Sequence, residues 1–89
     1  MSERILIIDD DPDIVQFVRV NLELDGYRVE TASGGVEGIE RAIAEPPDLI
    51  LLDIMMPGMD GFEVCEIVRL NPQLKDTKII FLTAKGRDV

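Results

Sequence analysis

Three runs of four consecutive apolar residues constrain this chain more than any other feature: Ile5-Leu6-Ile7-Ile8, Leu49-Ile50-Leu51-Leu52 and Ile79-Ile80-Phe81-Leu82. None alternates with polar residues, so each reads as a strand covered on both faces, as in a parallel sheet flanked by helices. The expected strands are residues 4–8, 28–32, 49–52 and 78–82. The second of these, Arg28-Val29-Glu30-Thr31-Ala32, does alternate and is expected at a sheet edge.

Helical patterns fill the gaps. Pro12 suits a first helical position, and Ile14, Phe17, Val18 and Leu22 follow as an apolar stripe that Gly26 ends. Off that stripe, Val15, Val20 and Leu24 are expected as single exposed apolar residues. Ser33-Gly34-Gly35 reads as a turn before a second stripe, Val36, Ile39 and Ile43, which Pro46-Pro47 stops. Asp60 is a candidate N-cap for a third helix that turns Val64, Cys65 and Val68 inward before Asn71-Pro72 breaks it. The order βαβαβαβ predicts right-handed crossovers and an α/β fold with a parallel sheet. With strand order 2-1-3-4 this is the flavodoxin-like class, occupying residues 1–89 as one domain.

Composition narrows the chemistry. Hydrophobic residues make up 46% and charged residues 30%, which places the chain with ordinary globular domains rather than disordered or membrane segments. The early apolar run is too short for a signal peptide or a bilayer span, so a cytoplasmic location is expected. A net charge of −9 argues against direct nucleic-acid or anionic-membrane contact and favours a cation or a basic partner. The absence of histidine and a lone cysteine exclude a disulfide, a Cys/His zinc set and a Ser/His or Cys/His catalytic pair. Carboxylates remain.

Ligands of open α/β sheets bind at the carboxyl ends of the strands, near the point where strand order reverses. Asp9 and Asp10 end the first strand and Asp53 the third. Clustered carboxylates repel unless a cation neutralises them, and oxygen-only ligands suit a hard ion such as magnesium. Asp is also a covalent nucleophile in phosphoryl transfer, so a phosphorylated carboxylate is the expected chemistry. Asp11 before Pro12, and Asp60, read more simply as helix caps, and Cys65 as a small core residue.

Ile7-Ile8-Asp9-Asp10-Asp11-Pro12, then Leu51-Leu52-Asp53-Ile54-Met55-Met56-Pro57-Gly58-Met59-Asp60-Gly61, then Phe81-Leu82-Thr83-Ala84-Lys85 resemble the successive signatures of bacterial two-component response-regulator receiver domains. The resemblance implies that Asp53 accepts a phosphoryl group from a phosphohistidine on a sensor histidine kinase or phosphotransfer protein. It implies magnesium held by Asp10 directly, Asp9 through water, Asp53, and the Met55 backbone carbonyl. Thr83 would donate its hydroxyl to the phosphoryl group, Ala84 would leave room for it, and Pro57 and Gly61 would shape the loop after the third strand. Met55, Met56 and Met59 are expected to pack under the acids, and the first helix, Val15 included, to meet the kinase.

Receivers of this family continue through a fourth helix, a lysine-bearing fifth strand and a fifth helix. The sequence therefore reads as a receiver domain incomplete at its C-terminus, with impaired switching. A fourth strand of buried character without an outer neighbour suggests self-association by edge pairing or exchange, complementation by a separate segment, or a loose monomer. Two other functions compete. A magnesium-dependent aspartyl-phosphate phosphatase presents its nucleophile in an Asp-x-Asp motif after the first strand, whereas Ile54 and Met55 follow Asp53 here. A purely structural fragment would keep the acids without signalling.

Overall fold

In the computed structural model, which describes residues 3–82, the strands are β1 (Arg4–Ile8), β2 (Arg28–Ala32), β3 (Leu49–Asp53) and β4 (Lys78–Leu82). The helices are α1 (Pro12–Leu24), α2 (Gly35–Ala44) and α3 (Gly61–Leu70), with a 3-10 turn over Pro72–Leu74. The four strands form one parallel sheet in the order β2-β1-β3-β4. The expected strand order holds, and Asp53 extends the third strand by one residue.

The three helix starts are local chemistry. The Asp11 side chain accepts from the amides of Asp13 (3.0 Å) and Ile14 (3.4 Å), and Pro12 takes the first helical position. Gly34 is the N-cap of α2, so the turn expected at Gly34-Gly35 gives way to helix at Gly35. Asp60 and Glu63 form a reciprocal capping box, each side chain accepting from the other's amide at 2.9 Å. That bond fixes the start of α3, and with it the end of the loop that follows Asp53.

The larger core lies on one sheet face. Leu6, Ile8, Ile50 and Leu52 pack there with Ala42 of α2, Val64 and Val68 of α3, and Leu74. Cys65 packs against this cluster, as expected. Side chains alternate across a strand, so Ile5, Ile7, Leu49, Leu51 and Ile80 take the opposite face. There α1 packs against β1 and β2. Ile5 and Ile7 are buried, while Ile80 at the far edge is 53% exposed.

Two helix faces differ from expectation. On α1 the half-buried residues are Ile14, Val15, Val18, Arg19 and Leu22, whereas Phe17 is 71% exposed. At about 100° per residue, Phe17 sits about 130° from the middle of that arc, which removes it from the sheet and turns Val15 toward it. On α2 the buried residues are Gly35, Gly38 and Ala42, while Val36 and Ile43 are exposed. A Cβ on Gly38 would overlap the Ile8 side chain, so the helix approaches the sheet on its smallest residues and carries its large ones on the flanks.

Candidate functional site

Register brings the acids together. Ile8 pairs with Leu52, so one step further along two parallel strands Asp9 and Asp53 stand side by side at the carboxyl edge. Asp9 and Asp53 are buried, Asp10 is exposed, and one carboxylate oxygen from each lies within 4.8 Å of the others. This is the group that the sequence singles out.

Backbone amides orient two of the three. The Asp11 amide donates to Asp9 Oδ1 at 2.9 Å, and the Met55 amide donates to Asp53 Oδ1 at 3.2 Å. The Asp9 amide donates to the Ala32 carbonyl at 3.1 Å, tying the first acid to the end of β2. Below the loop that follows Asp53, the Gly61 amide donates to the Ile54 carbonyl at 2.9 Å. A Cβ at Gly61 would overlap the Asp53 carbonyl oxygen, so the helix start can come this close only with glycine. Gly58, at φ +79°, supplies the left-handed turn that carries the chain back from Met55 to Asp60.

The methionines divide. Met56 is buried in the hydrophobic core and Met59 packs against it, whereas Met55 is 58% exposed. Its amide is engaged with Asp53 while its side chain points to solvent, because the loop reverses between these residues. The expectations for Thr83 and Ala84 lie outside the described residues.

Arg19 is a feature that sequence reasoning missed. With Val15, Thr31 and Ser33 it lines a cleft of about 450 Å3 that begins at Asp9 and Asp10. Its Nη2 donates to Gln16 Oε1 at 3.1 Å, and its Nε is buried with no hydrogen-bond partner. Arg19 thus shares a cleft with Asp9 and Asp10 in a chain of net charge −9. The sequence signal was its position, five residues after Ile14 on the arc that faces the sheet.

Two buried carboxylates with an exposed third, all oxygen donors, are a set that could hold a hard divalent cation. Among the described residues no histidine or cysteine enters it.

The same architecture occurs in solved proteins. An N-terminal domain of a response regulator receiver protein from Methanoculleus marisnigri superposes with a TM-score of 0.89 at 45% identity, covering 97% of this chain and 70% of that one. Response regulator TrrA from Thermotoga maritima, crystallised in complex with Mg(2+)-BeF, gives a TM-score of 0.85 at 40% identity, covering 94% and 71%. Among curated proteins, the DNA-binding dual master transcriptional regulator RpaA of Synechocystis sp. is 48% identical over 84 residues, 94% of this chain and 35% of its own length. PhoP, the alkaline phosphatase synthesis transcriptional regulatory protein of Bacillus subtilis, is 45% identical and covers 99% and 36%. The chain thus spans about a third of the length of these curated relatives. Residues 5–89 match the response regulator receiver domain. Fold, acid cluster and sequence agree, and the chain belongs to the response regulator receiver domain family.

Proposed function

We propose that this chain is a phosphoacceptor module of two-component signalling, with Asp53 as the residue phosphorylated. The observation that carries the reading is the convergence of Asp9, Asp10 and Asp53 within 4.8 Å at the carboxyl edge of β1 and β3. Asp10 and Asp53, with Asp9 through water and the Met55 carbonyl, would hold magnesium, which when bound supplies the positive charge that offsets the clustered carboxylates and the phosphoryl oxygens.

An Asp53 carboxylate oxygen attacks the phosphorus of a phosphohistidine. The new O–P bond forms as the N–P bond breaks, and the imidazole nitrogen leaves with the bonding pair and takes a proton from water. The Met55 amide on Oδ1 holds the carboxylate's orientation. Because Asp53 is fully buried, the neighbouring loop must shift to admit the donor. We assign Thr83 the hydrogen bond to the transferred group, as the residue next after Leu82, the register partner of Asp53.

The donor would be a sensor histidine kinase or phosphotransfer protein. TrrA has been crystallised in complex with histidine kinase ThkA, and that TrrA structure matches this chain with a TM-score of 0.84 at 40% identity. Phe17 and Val20, exposed on α1, are the contacts we assign to such a partner, in place of the half-buried Val15. A cytoplasmic location follows from this reading, since phosphohistidine donors are charged from ATP. No helix in the described residues is long and apolar enough to cross a membrane. We assign no nucleic-acid contact to the chain, given its net charge of −9.

The test is a titration with magnesium and beryllofluoride, a phosphoryl mimic, followed by backbone amide NMR. Saturable shifts at Asp9, Asp10 and Asp53 that vanish in Asp53→Asn support the assignment, and a well-dispersed spectrum without them sinks it. Repeated turnover of a small phosphomonoester would instead favour a phosphatase.

A further inference from the structure

Arg19 on α1 has incomplete hydrogen bonding. Among the described residues the ion pairs are those of Arg41 with Glu30 and Glu37, so Arg19 pairs with no carboxylate there. Its Nη2 donates to the side-chain oxygen of Gln16 at 3.1 Å, while Nε is buried and unpartnered. Nε and Nη2 lie on one edge of the planar guanidinium and aim their hydrogens in parallel, as a two-toothed fork. Half of that fork holds a neutral amide oxygen and half holds nothing. An acceptor with two oxygens in one plane fills both.

The surroundings of the fork decide which acceptor. Arg19 lines a cleft of about 450 Å3 beside β2, a volume that suits a small molecule. Pro12, Val15 and Ala32 give the cleft an apolar wall, and Asp9 and Asp10 belong to the same lining. Arg19 follows Pro12 by about 10 Å of helix rise, but its side chain reaches back one turn to Gln16, which brings the head closer to the acids than its backbone is. Those acids repel an anion in proportion to its charge. A phosphate ester carries about −1.5 to −2 at neutral pH and a carboxylate only one negative charge, so the carboxylate is the better guest.

We propose that the cleft between α1 and β2 binds a short aliphatic carboxylate, which displaces the Gln16 side chain and takes Nε and Nη2 of Arg19 with one oxygen each. Gln16 is exposed, so its side chain can leave for water. With it goes the bond that holds the guanidinium in its present pose, and the head is free to turn its fork to the ligand. Pro12, Val15 and Ala32 take the aliphatic body. The inference goes beyond phosphoacceptance, since Asp53 does not line the cleft.

The test titrates butyrate into the whole chain in chelator-treated buffer of low ionic strength, followed by NMR of the backbone amides and of the arginine Nε–H groups. The expected result is saturable shifts at Val15, Arg19, Thr31 and Ser33, with a Kd on the order of 1 mM and the Arg19 Nε–H signal moving downfield as it gains a charged acceptor. Butylamine, similar in length and opposite in charge, should leave that signal unmoved, and propyl phosphate should bind weaker than butyrate. Arg19→Lys keeps the charge but removes the fork, and should weaken butyrate roughly tenfold. Gln16→Ala removes the competing acceptor and should tighten butyrate roughly threefold. Its position is exposed, so it should keep the parent melting curve and decide the matter even where Arg19→Lys folds poorly. No saturable binding, an unmoved Arg19 Nε–H signal, full affinity in folded Arg19→Lys, or weaker binding by Gln16→Ala would overturn the proposal. So would tighter binding of propyl phosphate, since the guest would then be a phosphate. The beryllofluoride titration reads Asp53 separately, so failure here leaves the phosphoacceptor assignment standing, and the reverse.

Discussion

Gly61 sits so close under Asp53 that its missing Cβ is what lets the start of α3 touch the carbonyl of that residue, the proposed phosphoacceptor. Two structural devices meet there: the capping box of Asp60 and Glu63, which fixes where α3 begins, and the amide of Gly61, which holds Ile54. The geometry of the loop after Asp53 is therefore set from below by a helix terminus.

Gly61→Ala should be costly, because the atom in the way is backbone and cannot rotate aside. Overpacking of this kind destabilises by about 1 to 3 kcal/mol. Urea denaturation should show a lower midpoint with unchanged slope. In the fraction that folds, the beryllofluoride response at Asp53 should weaken as well. Parent stability in this variant would mean that the loop relaxes freely and that the contact does not position the site.

Magnesium should stabilise the parent protein. Binding to the folded state alone contributes RT ln(1 + [L]/Kd), about 2.7 kcal/mol at a hundredfold excess over Kd. Asp10→Asn removes an exposed, proposed ligand and should lose most of that gain while leaving the metal-free stability within about 0.5 kcal/mol of the parent. Thermal melts with and without the ion measure both. An Asp10→Asn protein that gains as much as the parent would remove Asp10 from the site.

Gly38 marks where the sequence was hardest to read. The strands were legible because unbroken apolar runs have few uses outside a covered sheet, and the acids because their positions at strand ends follow from strand order. The inner face of α2 was not. Periodicity picks out large apolar residues, so Val36 and Ile43 looked like the core, while Gly35, Gly38 and Ala42 carry the contact because the helix is pressed against the sheet. Small residues give no hydropathy signal for burial. On α1, the period was right and the phase was wrong by the width of Phe17, since a lone amphipathic helix does not reveal which flank its partner covers.

That reading makes Gly38→Ala destabilising by about 1 to 3 kcal/mol, with the cost traced to one side chain, Ile8. Ile8→Val alone should cost about 0.5 to 1.5 kcal/mol. Combined with Gly38→Ala it should recover part of the loss, giving a favourable coupling in a double-mutant cycle. Simple additivity would show that the two residues do not compete for the same space.

Glu37 should give the surface a small acid sensitivity. The Ser33 amide, 3.0 Å from Oε1, with Arg41 and the Ser33 hydroxyl, holds its carboxyl below the usual carboxylate range. A folded-state pKa below the unfolded one contributes stability at pH values above the unfolded value, and that stability is lost as pH falls through the folded value. The side chain is 43% exposed, so solvent screening limits the effect to less than about 1 kcal/mol. Glu37→Gln should lower stability slightly at neutral pH and flatten its decline in acid, read from denaturation midpoints across that range. Parallel pH profiles for the two proteins would remove Glu37 from the acid response.

Phe17→Ser separates a docking surface from a core. A buried phenylalanine truncated in this way would cost several kcal/mol, on the order of 3 to 5. With 71% of Phe17 in solvent, the melting temperature should instead stay near the parent value. Exposed aromatic residues are enriched where proteins meet, so the loss should appear in partner recognition. Transfer from a phosphorylated histidine domain should fall roughly tenfold in kcat/KM, while labelling by a small phosphoryl donor, which on the proposed reading needs only Asp53 and magnesium, should be unchanged. Equal loss with both donors would place the effect in the acid site. A large fall in melting temperature would return Phe17 to the core that its spacing first suggested.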